Sequence, residues 1–146
     1  MTRSNAREIA VHLLFEKNFH DQSAEDAIAA LTDSDYYSCL AEENSVYTEK
    51  PNQKQLDYIL QVLNGVAAHQ EELDTYISQN AVGWSLRRIP KLSLAIMRLA
   101  IYEILYVEDV PAGVAVNEAV ELAKKYEDAE MAAFINGVLG SVVRSL

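Results

Sequence analysis

Residues 91–107 read KLSLAIMRLAIYEILYV, and this stretch decides the fold class. Apolar side chains occupy nearly every face of a helix drawn through it, so neighbouring helices are expected to surround it on most sides. It is short for a membrane span, and Arg98 and Glu103 interrupt it, so it reads as a buried core helix. Each of those two charges needs an opposite charge from a neighbouring helix, because a buried unpaired charge is costly.

Outward from this helix the period stays helical. On the N-terminal side Trp84, Leu86 and Ile89 form a short turn between Gly83 and Pro90. Before it, Leu73, Tyr76 and Ile77 continue or restart an amphipathic run made by Leu56, Ile59, Leu60, Leu63 and Val66. Pro51 stands where that helix can begin. On the C-terminal side Asp109, Pro111 and Gly113 suggest a loop, followed by a short helix through Val116, Ala119, Val120 and Ala123. A last helix from about Glu130 buries Ile135, Val138, Leu139, Val142 and Val143.

The first helix is expected to open on Asn5 and Glu8 as a capping pair and to run to about Phe19, with Ile9 and Leu13 in its stripe. Ser23, with Glu25 and Asp26 behind it, suits a second helix start. From Asp33 to Lys50 periodicity is lost, and this segment is expected to be a loop or an irregular helix. The sum is a single all-α domain over residues 1–146, a compact orthogonal bundle of about seven helices.

Composition narrows the function classes. Half of the 146 residues are apolar, as in a globular chain. The single Cys39 forbids an internal disulfide and suits a reducing compartment. MTRSNARE is polar and charged where a secretory leader would turn apolar, so a cytoplasmic protein is expected. His12, His20 and His69 lack metal-ligand spacing, and Cys39 sits among acids that would hinder rather than activate a thiolate. No glycine-rich phosphate loop is present. Glu118 and Glu121 suit ion pairs with Lys124 and Lys125 better than acid–base work. The expectation is a non-catalytic chain without metal or cofactor.

The net charge of −10 opposes nucleic-acid binding, yet the acid is uneven. Residues 21–50 carry Asp21, Glu25, Asp26, Asp33, Asp35, Glu42, Glu43 and Glu49 against Lys50 alone, a net of −7. Residues 1–20 carry Arg3, Arg7 and Lys17 against Glu8 and Glu16, a net of +1. Screening beyond roughly 8–10 Å lets a local basic surface persist.

Three runs carry a family resemblance: 96–104 (IMRLAIYEI) with Val110-Pro111, then 116–124 (VNEAVELAK), then 134–139 (FINGVL). Their order and spacing over roughly 84–146 resemble the NusB family of transcription antitermination proteins and the related RNA-binding domain fused to some ribosomal-RNA methyltransferases. Ala6–Val11 with Leu14-Phe15 matches more weakly. The chain ends soon after the last run, so the stand-alone factor is expected.

The resemblance implies an all-helical protein that binds the single-stranded boxA element of ribosomal-RNA transcripts with a small-subunit ribosomal protein, NusE, in an RNA polymerase antitermination complex. It implies Arg3 and Arg7 as phosphate contacts and Phe15 and Phe134 as aromatic positions for bases. Asn136 could read a base edge or bond to backbone near the helix start, and Gly137 leaves a notch beside Phe134. Ordinary core packing for Phe134 and solvated charge for the two arginines stay open beside these roles. So do a homodimer of the free chain and a protein-interaction module with the same fold and little RNA binding. Helices around 70–105 are expected to offer the partner face.

Three positions depart from the family. The arginine-rich start is thinned to Arg3 and Arg7. Ser93-Leu94 stands where an acid followed by a base is usual, and Gly140 replaces an Asp. Arg87, Arg88 and Lys91 offer some positive charge in return.

Overall fold

A computed structural model describes residues 2–19 and 21–146. The expectation about His20 lies outside the described residues. The described residues form α-helices and short 3₁₀ turns, with no strand among them. In order the helices are α1 (Arg3–Glu16), α2 (Ala24–Thr32), α3 (Ser34–Glu43), α4 (Gln53–Ala68), α5 (Gln70–Asn80), α6 (Lys91–Tyr106), α7 (Ala112–Tyr126) and α8 (Ala129–Arg144). The all-α class therefore holds, with eight helices among the described residues rather than about seven. The chain falls into two compact units, Met1–Asn64 and Gly65–Leu146, with α4 crossing from one to the other.

In the first unit α1 starts earlier and stops sooner than expected. The Thr2 hydroxyl, not Asn5, caps it by accepting from the Asn5 amide at 3.1 Å. Both residue types can cap, and Thr2 is the one that leaves Arg3 inside the first turn. The core side of α1 is Ala6, Ile9, Ala10 and Val11. Leu13 is only half-buried. Ser23 caps α2 as expected, accepting from Asp26 N at 3.1 Å.

The segment 33–50 is more ordered than its sequence suggests. Asp33 caps α3 by accepting from Tyr36 N at 2.9 Å, and a 3₁₀ turn follows at Ser45–Tyr47. Its burial comes from tyrosines. Tyr37 and Tyr47 are 2% and 7% exposed and meet edge to face at 5.6 Å. The Tyr37 hydroxyl donates to the Glu49 carbonyl, and His12 Nδ1 lies 2.7 Å from the Tyr47 hydroxyl.

Helix α4 opens two residues beyond the position Pro51 suggested. Asn52 and Gln55 close a reciprocal capping box, each amide donating to the other's side-chain oxygen at 2.9 Å.

In the second unit α6 is the central element, in contact with α5, α7 and α8. Ten of its residues are buried, from Ser93 through Glu103, with Arg98 half-buried among them. Arg98 finds its opposite charge on α5: Nε and Nη2 donate to the two Asp74 carboxylate oxygens at 2.7 and 3.0 Å. Glu103 is fully buried. Ser93 is also fully buried, and among the described residues its hydroxyl has no hydrogen-bond partner.

Gly83 breaks the chain after α5 with φ +83°, a conformation that favours glycine. Helix α7 takes in Ala112 and Gly113, which the sequence placed in a loop, and at fifteen residues it is not short. Asp128 caps α8, accepting from Met131 N at 2.7 Å. Of the expected α8 stripe, Ile135, Val138, Leu139 and Val142 are buried, while Val143 is half-buried.

Candidate functional site

The first unit brings Arg3 and Arg7 together on one ring. They lie one turn apart on α1, and the ring of Tyr58 on α4 receives both. The guanidinium carbon of Arg3 sits 4.4 Å from the ring centroid and that of Arg7 sits 6.0 Å away. Both distances suit a cation–π contact. Their exposure differs. Arg7 is 3% exposed and Tyr58 is 4% exposed, whereas Arg3 is half-buried. Arg3 is therefore the more accessible of the two arginines, and Arg7 the buried one. A flat guanidinium on a ring keeps its N–H donors in plane, an arrangement that suits phosphate oxygens.

Phe15 lies at the other end of α1, half-buried. It meets Phe19 edge to face at 5.1 Å, and Phe19 is 66% exposed. Beside Phe15 is a cavity of about 320 Å³ that His12, Leu40, Asn44 and Tyr47 also line. In the sequence Phe19 marks only the expected end of the first helix; it lies in the turn beyond α1, so its pairing with Phe15 does not follow from helical spacing.

In the second unit Phe134 is half-buried on α8 and packs against Trp84, ring centroids 5.3 Å apart. Trp84 is 42% exposed and follows the turn at Gly83. The pair forms an aromatic surface from residues fifty positions apart, which no local pattern could reveal. A Cβ built on Gly137, one turn beyond Phe134, meets nothing within 4 Å, so the space expected there is open.

Asn136 is not on that surface. Two helical positions rotate it by about 200° from Phe134. It lines a groove of about 680 Å³ between α7 and α8 instead. Phe134 and Asn136 thus belong to different faces of one helix.

The helices around 70–105 carry a further exposed cluster. The rings of His69 and Tyr106 stack at 4.3 Å, and the Tyr106 hydroxyl donates to Glu72 Oε1 at 2.5 Å. That bond, with burial and the nearby Glu72 charge, raises the Tyr106 pKa above the usual tyrosine value. Arg87, Arg88 and Lys91 are exposed as well.

Among the described residues no group of three His, Cys, Asp or Glu side chains is placed to hold a metal ion. No helix among them is long and apolar enough to cross a membrane. Lys124 makes the anticipated contact with Glu121, a loose exposed pair at 3.4 Å.

The model of the NusB family matches residues 4–144. Transcription antitermination protein NusB of Acetivibrio thermocellus is 42% identical over 99% of this chain and 90% of its own length. The protein of the same name from Clostridium botulinum is 36% identical over 98% of this chain and all of its own length. Among solved structures, T. maritima NusB superposes with a TM-score of 0.75 at 26% identity, covering 99% of this chain and 92% of that one. A crystal structure of antitermination factors NusB and NusE in complex with dsRNA gives 0.73 at 22% identity, covering 99% and 97%. This last likeness shows the fold alone. A family match over nearly the whole chain, relatives at 36–42% identity and the all-helical fold agree: the chain belongs to the NusB family.

Proposed function

We propose that this chain is a cytoplasmic transcription antitermination factor without catalytic activity. It binds single-stranded boxA-type RNA of ribosomal-RNA transcripts together with a NusE-type ribosomal protein. The observation that carries the reading is the family match over 4–144, with relatives named as antitermination proteins over their full length. The local chemistry supports it. Arg3, seated on Tyr58, offers a phosphate contact in the one N-terminal stretch that is not acidic. Phe15 with Phe19, and Phe134 with Trp84, offer rings on which bases can stack. Arg7, being buried, acts by holding Tyr58 and Arg3 rather than by touching RNA.

The mechanism is equilibrium binding. RNA surfaces on this chain and on its ribosomal-protein partner act on one strand at raised effective concentration, so each can be weak alone. The partner docks on the helices of 70–105, where the His69–Tyr106 stack and Arg87 and Arg88 are exposed. A second reading, an interaction module with little RNA affinity, draws on the burial of Arg7 and the −10 charge.

Salt dependence separates the two. For the RNA-binding reading, Arg3→Ala lowers boxA affinity in the presence of the partner and reduces the slope of log K against log salt by about 1. Tyr58→Leu weakens binding through the same arginine. A flat salt dependence, unchanged in Arg3→Ala, favours the interaction module.

A further inference from the structure

The groove between α7 and α8 is not used by the function proposed above. The two helices are joined by Glu127 and Asp128 alone, so they run antiparallel, and the groove lies along their outer seam. Its floor is small and apolar, with Ala129, Ala133, Val116 and Val120 among its lining residues. Its described lining contains two charged side chains, Lys124 and Arg144, and both are cations. Lys124 closes α7 next to the start of α8, and Arg144 closes α8 next to the start of α7. The cations therefore stand at opposite ends. From Gly113 to Lys124 the seam is about 16 Å long.

Arg144 is held over the seam by a missing side chain. A Cβ on Gly140 would come within 3.3 Å of Arg144 Nη1, so the guanidinium lies against the bare Gly140 backbone. The family resemblance puts an Asp at this position. An Asp at 140 would stand one turn before Arg144, the spacing at which opposite charges pair on a helix. With Gly140 no such acid competes for Arg144.

We propose that this groove docks an amphipathic helix of a partner protein, about three turns long, with small or aliphatic residues on its inner face and a carboxylate at each end. A helix in a groove between two helices buries an apolar stripe, and the two end cations set its charge pattern. The chemistry is wrong for a nucleic-acid strand. No aromatic ring lines the groove to stack a base, and the cations are separated by apolar surface instead of tracking a backbone. The inference does not rest on the RNA-binding reading, and Asn136 serves this surface.

The test is fluorescence anisotropy with a labelled, amidated helical peptide of about fourteen residues. It carries Ala and Leu on one face and Glu at two positions eleven apart, about 16 Å on the same side. A shuffled peptide of equal composition is the control. The patterned peptide is expected to bind saturably and the shuffled one not. Arg144→Glu and Gly140→Asp are each expected to weaken it about tenfold. Ala133→Phe, at an exposed position, fills the floor and abolishes binding, while circular dichroism shows all three variants folded. RNA binding with the ribosomal-protein partner is expected to be unchanged in Arg144→Glu, so loss of either reading leaves the other standing.

Equal binding of the shuffled peptide, or indifference to all three variants, overturns the proposal. Displacement of the peptide by a single-stranded oligonucleotide also overturns it, in favour of a nucleic-acid groove. Self-association that Ala133→Phe disrupts overturns it in favour of a second copy of this chain.

Discussion

Tyr37 ties the acidic segment of the first unit to its core, and its ionisation follows from where it sits. Burial, with the Glu49 charge adding to it, pushes its pKa up to about 12. The folded chain therefore holds the Tyr37 proton longer than the unfolded chain, whose tyrosines titrate near about 10. The stability this adds is fully present below the unfolded value and is lost as pH rises through the folded one. Urea unfolding between those limits should show a falling stability that is shallower in Tyr37→Phe. At neutral pH that variant should cost about 1 kcal/mol for the lost hydrogen bond. Identical slopes in the two proteins would contradict the assignment.

Arg98 is the complementary case. Its pair with Asp74 is bidentate, yet the two side chains retain 18% and 20% exposure. Asp74→Ala should cost about 1–3 kcal/mol, between the values for exposed and buried pairs. Thermal melting checks it, and a cost of a few tenths would mean that solvent already screens the pair.

At the scale of elements, the second unit was readable because its burial is aliphatic. In α6, α7 and α8, Leu, Ile, Val and Ala recur at helical spacing, and those are the residues that pack. The first unit hides its logic. Helix α3 reads as a loop because Tyr37, with Tyr47 just beyond it, provides the buried surface, and a hydropathy pattern treats tyrosine as neutral. The candidate site was only partly legible for related reasons. Arg3 and Arg7 look alike in the sequence, and only Tyr58, some fifty residues later, separates the more accessible arginine from the buried one. Trp84 joins Phe134 across a similar distance along the chain. Asn136 shares a helix with Phe134 but faces the other groove, a difference that periodicity alone could have shown.

Gly65 marks a packing demand that the sequence did not reveal either. A Cβ there would overlap the ring of Tyr102, so α4 and α6 approach closely at this point because residue 65 is glycine. Gly65→Ala gains helix propensity of about 1 kcal/mol but must displace a buried ring, so a net loss of about 1–3 kcal/mol is expected. Chemical denaturation measures it. A more stable variant would show that Tyr102 moves aside freely.

For the whole molecule, charge sets the terms of RNA binding. A chain with net −10, of which −7 lies in residues 21–50, repels phosphate at long range. On the proposed reading, attraction rests on a few placed groups, with Arg3 foremost, and on rings that need no charge. Such a protein should bind RNA weakly by itself and gain affinity when a partner adds its own surface to the same strand. The acidic segment also has a structural role, because Tyr37 and Tyr47 bury within it.

The most direct measurement is fluorescence anisotropy of a labelled boxA-type RNA, titrated with this protein alone and with its NusE-type partner, beside a scrambled RNA. Weak binding is expected for the protein alone, and tighter binding that favours boxA when the partner is present. Equal binding of boxA and scrambled RNA by the pair, or no binding at all, would contradict it.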